Sequence, residues 1–256
     1  MPSRNNTLDS EDGDKTEFVG PVKIVFVDRQ ITMKYVRTVW YAAAVALSEM
    51  LLGSVTIFVY FYAFALRHKR DTILDGMHIL CGTSGLQTCL LGGIVLLNSF
   101  SGSAIPVTAG GRKCEHIIIT LLALVTNFMS AYVAFETYGL EALTTSLHSI
   151  LGLAAIGAST LCGLMGLCII AQPVASADND TVKFGFYIHI LLAFPAVIMS
   201  FLCFLSGMMK SDFQNWLPIS DISVYLNSSC ACYTAIILYK PLIMLVTRKR
   251  IGFAEN

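Results

Sequence analysis

Residues 149–172 read SILGLAAIGASTLCGLMGLCIIAQ, a run without a single charged side chain. As an α-helix it extends about 36 Å, enough to cross a hydrocarbon core of about 30 Å. Working outward, five more such runs lie near residues 38–66, 77–98, 116–135, 184–207 and 222–246. The linkers carry the breakers and charges: RHKRD after the first run, SFSGSAIPVTAGGRK after the second, ETYGLEALTTS after the third and PVASADND after the fourth. The chain is 55% hydrophobic and 13% charged, with a mean hydropathy of +0.67, so lipid is the solvent for most of it. The expected fold is an all-α integral membrane bundle of six transmembrane helices without a separate soluble domain.

Three regions follow: a polar N-terminal tail at 1–37, the six-helix domain at 38–247 and a short basic end at 248–256. The opening stretch MPSRNNTLDSEDGDKTEFVG has no apolar core, so it reads as neither a signal peptide nor a presequence. Six spans put both termini on one face. Placing them in the cytosol collects Arg4, Lys15, Lys23, Arg29, Lys34, Arg37, Arg112, Lys113, Lys183, Lys240, Arg248, Lys249 and Arg250 inside. That leaves Arg67, Lys69, Arg70 and Lys210 outside, and the positive-inside rule selects this orientation. A formal net charge of zero gives no reason to expect nucleic acid. The eight cysteines form no C-x-x-C pair and read as small packing residues.

Four of the five histidines, His78, His116, His148 and His189, recur at the start of consecutive spans, separated by 38, 32 and 41 residues. One histidine at a helix end has a structural explanation; four in register point to ligation. Spans two and four run in one direction and spans three and five in the other. His78 therefore shares a depth with His148, and His116 shares the opposite depth with His189. Two imidazoles from parallel helices suit the axial ligation of a planar haem, and a haem held on both sides is built for electron transfer. The fifth, His68, falls in the charged RHKR run and reads as a solvated loop residue. Small residues near the ligands, among them Gly82, Gly85, Gly152 and Ala193, allow close approach. Arg112, Lys113 and Lys183 precede the second pair and together would attract an anionic reductant.

The segment Ser146-Leu147-His148-Ser149-Ile150-Leu151-Gly152 resembles the SLHSWLG stretch of cytochrome b561 proteins, and the four-histidine layout of residues 38 to about 250 resembles that family as well. The basic end Arg248-Lys249-Arg250-Ile251 looks most like that of its small endomembrane members. The resemblance implies a four-helix core of spans two to five around two haem b groups, with His78 and His148 holding the non-cytosolic haem and His116 and His189 the cytosolic one. It implies a transmembrane oxidoreductase in an endomembrane, endoplasmic reticulum or vesicle and lysosome. Cytosolic ascorbate would be the donor, bound at Arg112, Lys113 and Lys183, and monodehydroascorbate or a ferric chelate the acceptor. Membrane lipid and a second copy of the chain complete the expected partners. Three departures stand out: Ile79 follows His78 where proline is usual, Ile150 replaces the tryptophan, and GIVLLNSF ends the second span where many ascorbate-using members carry an arginine-bearing motif.

From the residues alone, a histidine-based metal-ion transporter is the alternative, since imidazole also suits copper, iron and zinc. Glu49, inside the first span, is an intramembrane carboxylate without an assigned role.

Overall fold

Among the residues described by the computed structural model, 33–66, 73–98, 100–101, 108–171 and 180–247, every regular element is helical. The expected N-terminal tail up to Thr32, His68 and the basic C-terminal end lie outside the described residues. The chain divides into a unit Met1–Val39 and a unit Trp40–Asn256, and the bundle is the second.

Six helical spans are long and apolar enough to cross a membrane. The first is α1 (Met33–Leu66). The second is composite: α2 (Ile73–Thr83), a π-helical segment (Ser84–Cys89) and α3 (Leu90–Leu96). The third, fourth and fifth are α4 (Ala109–Thr145), α5 (Leu147–Ile170) and α6 (Asp180–Met208). A short α7 (Ser211–Trp216) fills the fifth linker before α8 (Asp221–Thr247) makes the last span. All six expected runs are present. The linker expected after the third run is instead helical to Thr145, broken only at Gly139, whose φ of 76° lies in the left-handed region that glycine adopts without a Cβ penalty.

Local chemistry fixes where two of the key helices begin. The Thr108 side chain accepts from the Gly111 amide at 3.2 Å and starts α4. Ser146 accepts from the Ser149 amide at 3.1 Å and starts α5, so His148 stands in its first turn.

Composite span two, α4, α5 and α6 pack as a four-helix core, while α1 and α8 cover one flank of it. That flank is an apolar cluster in which Val55 and Val59 of α1, Leu91 of α3, Val197 of α6 and Tyr233 of α8 meet. The outward faces expose Leu122, Val125, Phe128, Leu161 and Leu191, whereas Gln87, Asn127, Ser130, Ser159 and Ser200 are buried. A water-soluble bundle would show the opposite arrangement; this one matches lipid outside and hydrogen-bonding groups within.

Glycines set the closeness of the helix pairs. A Cβ on Gly85 would meet the Asn127 side chain at its Oδ1 and, at 2.6 Å, its Cγ, with Thr126 Oγ1 at 2.8 Å. Gly92, seven residues on, has nothing within 4 Å of the same position. Gly85→Ala is therefore expected to overpack the span two–α4 contact, at a cost of ~1–3 kcal/mol, and to lower the thermal unfolding midpoint of the detergent-solubilised protein by several degrees. Gly92→Ala serves as the control that leaves the midpoint in place; equal midpoints for the two variants would refute the packing argument.

Candidate functional site

The four histidines that recur along the sequence meet as two pairs at opposite ends of the core. The ring centres of His78 and His148 stand 6.0 Å apart with planes at 85°, and those of His116 and His189 stand 6.4 Å apart at 90°. These are the partners that span direction selects.

Each ring is held by its Nδ1 against a main-chain carbonyl of a neighbouring helix. His78 reaches Ser130 O at 3.0 Å and His116 reaches Gly93 O at 2.7 Å, tying span two and α4 together reciprocally. His148 reaches Cys203 O at 3.0 Å and His189 reaches Cys162 O at 3.0 Å, which does the same for α5 and α6. A carbonyl can only accept, so Nδ1 carries the proton in all four rings, and in the neutral ring the lone pair of Nε2 is then the one available to a metal. This is the outer hydrogen bond that metal-ligating histidines commonly make.

The register repeats. His116 precedes Ser130 by 14 residues, His148 precedes Cys162 by 14 and His189 precedes Cys203 by 14, whereas His78 precedes Gly93 by 15. The extra residue is absorbed by the π-helical segment Ser84–Cys89, which packs more residues into each turn than an α-helix does. Fourteen residues of helix rise about 21 Å, which sets the spacing between the two histidine levels.

Geometry provides a test of fit. An imidazole bound through Nε2 at the usual metal–nitrogen distance of about 2 Å has its centre about 3.2 Å from the metal, so two on opposite sides stand about 6.3 Å apart. Both pairs agree with that value. Each also faces a cavity in the cofactor size range: about 710 Å³ beside His78 and His148, and about 590 Å³ beside His116 and His189. Gly82 and Gly152 line the first, and Gly166 and Ala193 the second, giving a flat ring access to the helix surface.

The cavities differ in charge. Among the described residues, the His116–His189 cavity is lined by Lys113 and Lys240, and Arg112 acts electrostatically on Lys240. The His78–His148 cavity has Lys210 together with Asp75 and Asp212, and the Tyr138 hydroxyl donates to Asp75. Of the three cations singled out from sequence, Lys113 lines the cavity and Arg112 lies near Lys240, while the Lys183 side chain is outside the described residues.

Sequence reasoning passed over Lys240, counted there only for topology, and also Lys210, Asp75 and Tyr138. Asp75 could have been found, since it lies one helical turn before His78; the others depend on tertiary packing. Cys162 and Cys203, read as plain packing residues, supply two of the four carbonyls, and all eight cysteines are free thiols.

No curated protein and no solved structure matches the chain. A family model described as eukaryotic cytochrome b561 matches residues 77–215, which take in all four histidines and more than half of the sequence. The chain belongs to the eukaryotic cytochrome b561 family and is a multi-pass membrane protein of transmembrane, haem-based electron transfer.

Proposed function

We propose that this protein carries electrons from cytosolic ascorbate to monodehydroascorbate or ferric iron on the other face, through two haem b groups. One is held by His116 and His189 and the other by His78 and His148. The observation that carries this reading is the spacing of the two imidazole pairs, 6.0 and 6.4 Å between ring centres, each ring with Nδ1 turned to a main-chain carbonyl. When bound, the haems would supply a reversible one-electron iron couple, each held by two histidines of this chain.

The chain's own residues do the rest. The four carbonyls of Gly93, Ser130, Cys162 and Cys203 fix the ring orientations. Arg112, Lys113 and Lys183 gather the donor, which gives up one electron and one proton per turnover to become monodehydroascorbate. A metal-ion transporter is less well supported, because no group of three or more His, Cys, Asp or Glu gathers among the described residues.

With thirteen of the seventeen cations on the side of both termini, the orientation is N- and C-termini in the cytosol, in an endomembrane. The sequons Asn5-Asn6-Thr7 and Asn179-Asp180-Thr181 are then expected to stay unglycosylated in a microsomal assay. Glycan on Asn179 would reverse the orientation.

Ligand substitution tests the pairing. His78→Ala and His148→Ala are expected to remove the same haem, leaving one that ascorbate still reduces. His116→Ala or His189→Ala should remove the other and block reduction by ascorbate, while His68→Ala changes neither. Haem stoichiometry and reducibility by absorption spectroscopy provide the readout. Loss of one common centre in the His78 and His116 variants would refute the assignment. Because both ring pairs are close to perpendicular, the ferric wild type should also give strongly anisotropic low-spin signals in electron paramagnetic resonance.

The donor site has its own signature. Neutralising Arg112, Lys113 and Lys183 together should slow reduction by ascorbate and flatten its dependence on ionic strength, with haem content unchanged. An unaltered rate at low salt would remove these residues from the donor site.

A further inference from the structure

The residues whose carbonyls meet the four histidines act alike through the main chain and differently through their side chains. Ser130 brings a hydroxyl to 3.0 Å from His78 Nδ1. Cys203 and Cys162 bring thiols to 3.7 Å from His148 Nδ1 and 3.6 Å from His189 Nδ1, and Gly93, opposite His116, has no side chain to bring. At His148 there is also a hydroxyl: that of Ser206, three residues after Cys203, stands 3.2 Å from Nδ1. Gly82 leaves room for the one at His78, since a Cβ there would meet Ser130 Oγ at 2.9 Å.

The hydroxyl protons fix the direction of these contacts. Ser130 Oγ donates to the His78 carbonyl at 3.0 Å, and Ser206 Oγ donates to the Cys203 carbonyl at 2.7 Å. A hydroxyl has one proton and two lone pairs, so with the proton engaged each oxygen can only accept from the ring. Nδ1–H is therefore shared between a carbonyl and a hydroxyl in both rings of the His78–His148 pair. The thiols are turned the same way, Cys162 donating to His189 O at 3.5 Å and Cys203 to His148 O at 3.6 Å, but sulfur is a weak acceptor. Hydrogen bonding at Nδ1–H makes an imidazole a more basic ligand, and a more basic axial ligand favours ferric over ferrous iron.

We infer that Ser130 and Ser206 are positioning residues whose hydroxyls act through His78 and His148 to hold the reduction potential of the haem between them below the value that the carbonyls alone would set. This rests on the proposed function, in that His78 and His148 are taken as the axial pair of one haem. A site tuned in this way holds its electron less firmly and passes it on more readily.

The experiment uses the full-length haem-loaded protein. The midpoint potential of each haem is read optically in a potentiometric titration, with the haems assigned by the histidine substitutions described above. Ser130→Ala and Ser206→Ala are each expected to shift the reduction equilibrium of the His78–His148 haem about threefold toward ferrous, and together about tenfold, equivalent to about +59 mV for one electron. The other haem should keep its potential, and haem stoichiometry should be unchanged. The converse variant, Cys162→Ser, sets a hydroxyl opposite His189 with little change of shape and should shift the His116–His189 haem about threefold toward ferric. An unmoved potential in the double serine variant overturns the inference. So does a shift shared equally by both haems, which would mark a general loosening of the core. If the serine variants lose haem, Cys162→Ser decides: a shift toward ferric at its own haem sustains the inference, and no shift or the opposite one overturns it. If His78→Ala and His148→Ala remove different haems, or none, the ligand reading itself fails and the inference falls with it.

Discussion

Four hydrogen bonds, each from an imidazole Nδ1 to a main-chain carbonyl on the adjacent helix, impose most of the order in the core. A ring nitrogen can reach a carbonyl at 2.7 to 3.0 Å only where two helix backbones come close and where no side chain intervenes. That requirement explains the small residues beside the sites. A Cβ on Gly166 would stand 3.1 Å from His189 Cε1, and one on Gly207 would stand 3.1 Å from His148 Cε1. The bonds are reciprocal within two helix pairs, so every histidine that faces a cavity also braces the helix opposite. Ligand orientation and helix packing are thus set by the same contacts, and a substitution that loosens one loosens the other.

Much of this was readable before any coordinates. Hydropathy over about 20-residue windows finds membrane spans because lipid leaves the backbone no alternative to helix, and span direction alone sorts four histidines into two depths. What the sequence hid has physical reasons. The π-helical segment Ser84–Cys89 has no compositional signature, since its residues would read equally well as α-helix. The helical stretch after Gly139 carries Glu141, Thr144 and Thr145, so it reads as a loop, and the turn at Gly139 sets it off from the helix before it. Gln87 looks out of place in a lipid-solvated helix until its neighbours are seen. Tyr233 donates to Gln87 Oε1 at 2.5 Å, joining α8 to span two at mid-bilayer. Lys240 hid in plain view, because a lysine near the end of a span is ordinarily an interfacial anchor and its neighbours come from other helices.

The two ends of the core share a geometry and differ in charge. Among the described residues, Lys113 and Lys240 line one cavity, whereas Lys210, Asp75 and Asp212 line the other. Similar ring geometry thus stands in unlike electrostatic surroundings, so the two ends differ in what can dock there.

The uneven register of the second span has a consequence for how this sequence can drift. Along an α-helix one inserted or deleted residue turns everything beyond it by about 100°, so between a histidine and its carbonyl partner the chain tolerates substitutions far more readily than changes in length. Span two carries 15 residues where the other three carry 14 and keeps its alignment because the surplus is wound into Ser84–Cys89. That segment is a stored insertion: a stretch of the core where a residue could be removed and the helix become more regular, with His78 and Gly93 still at their levels.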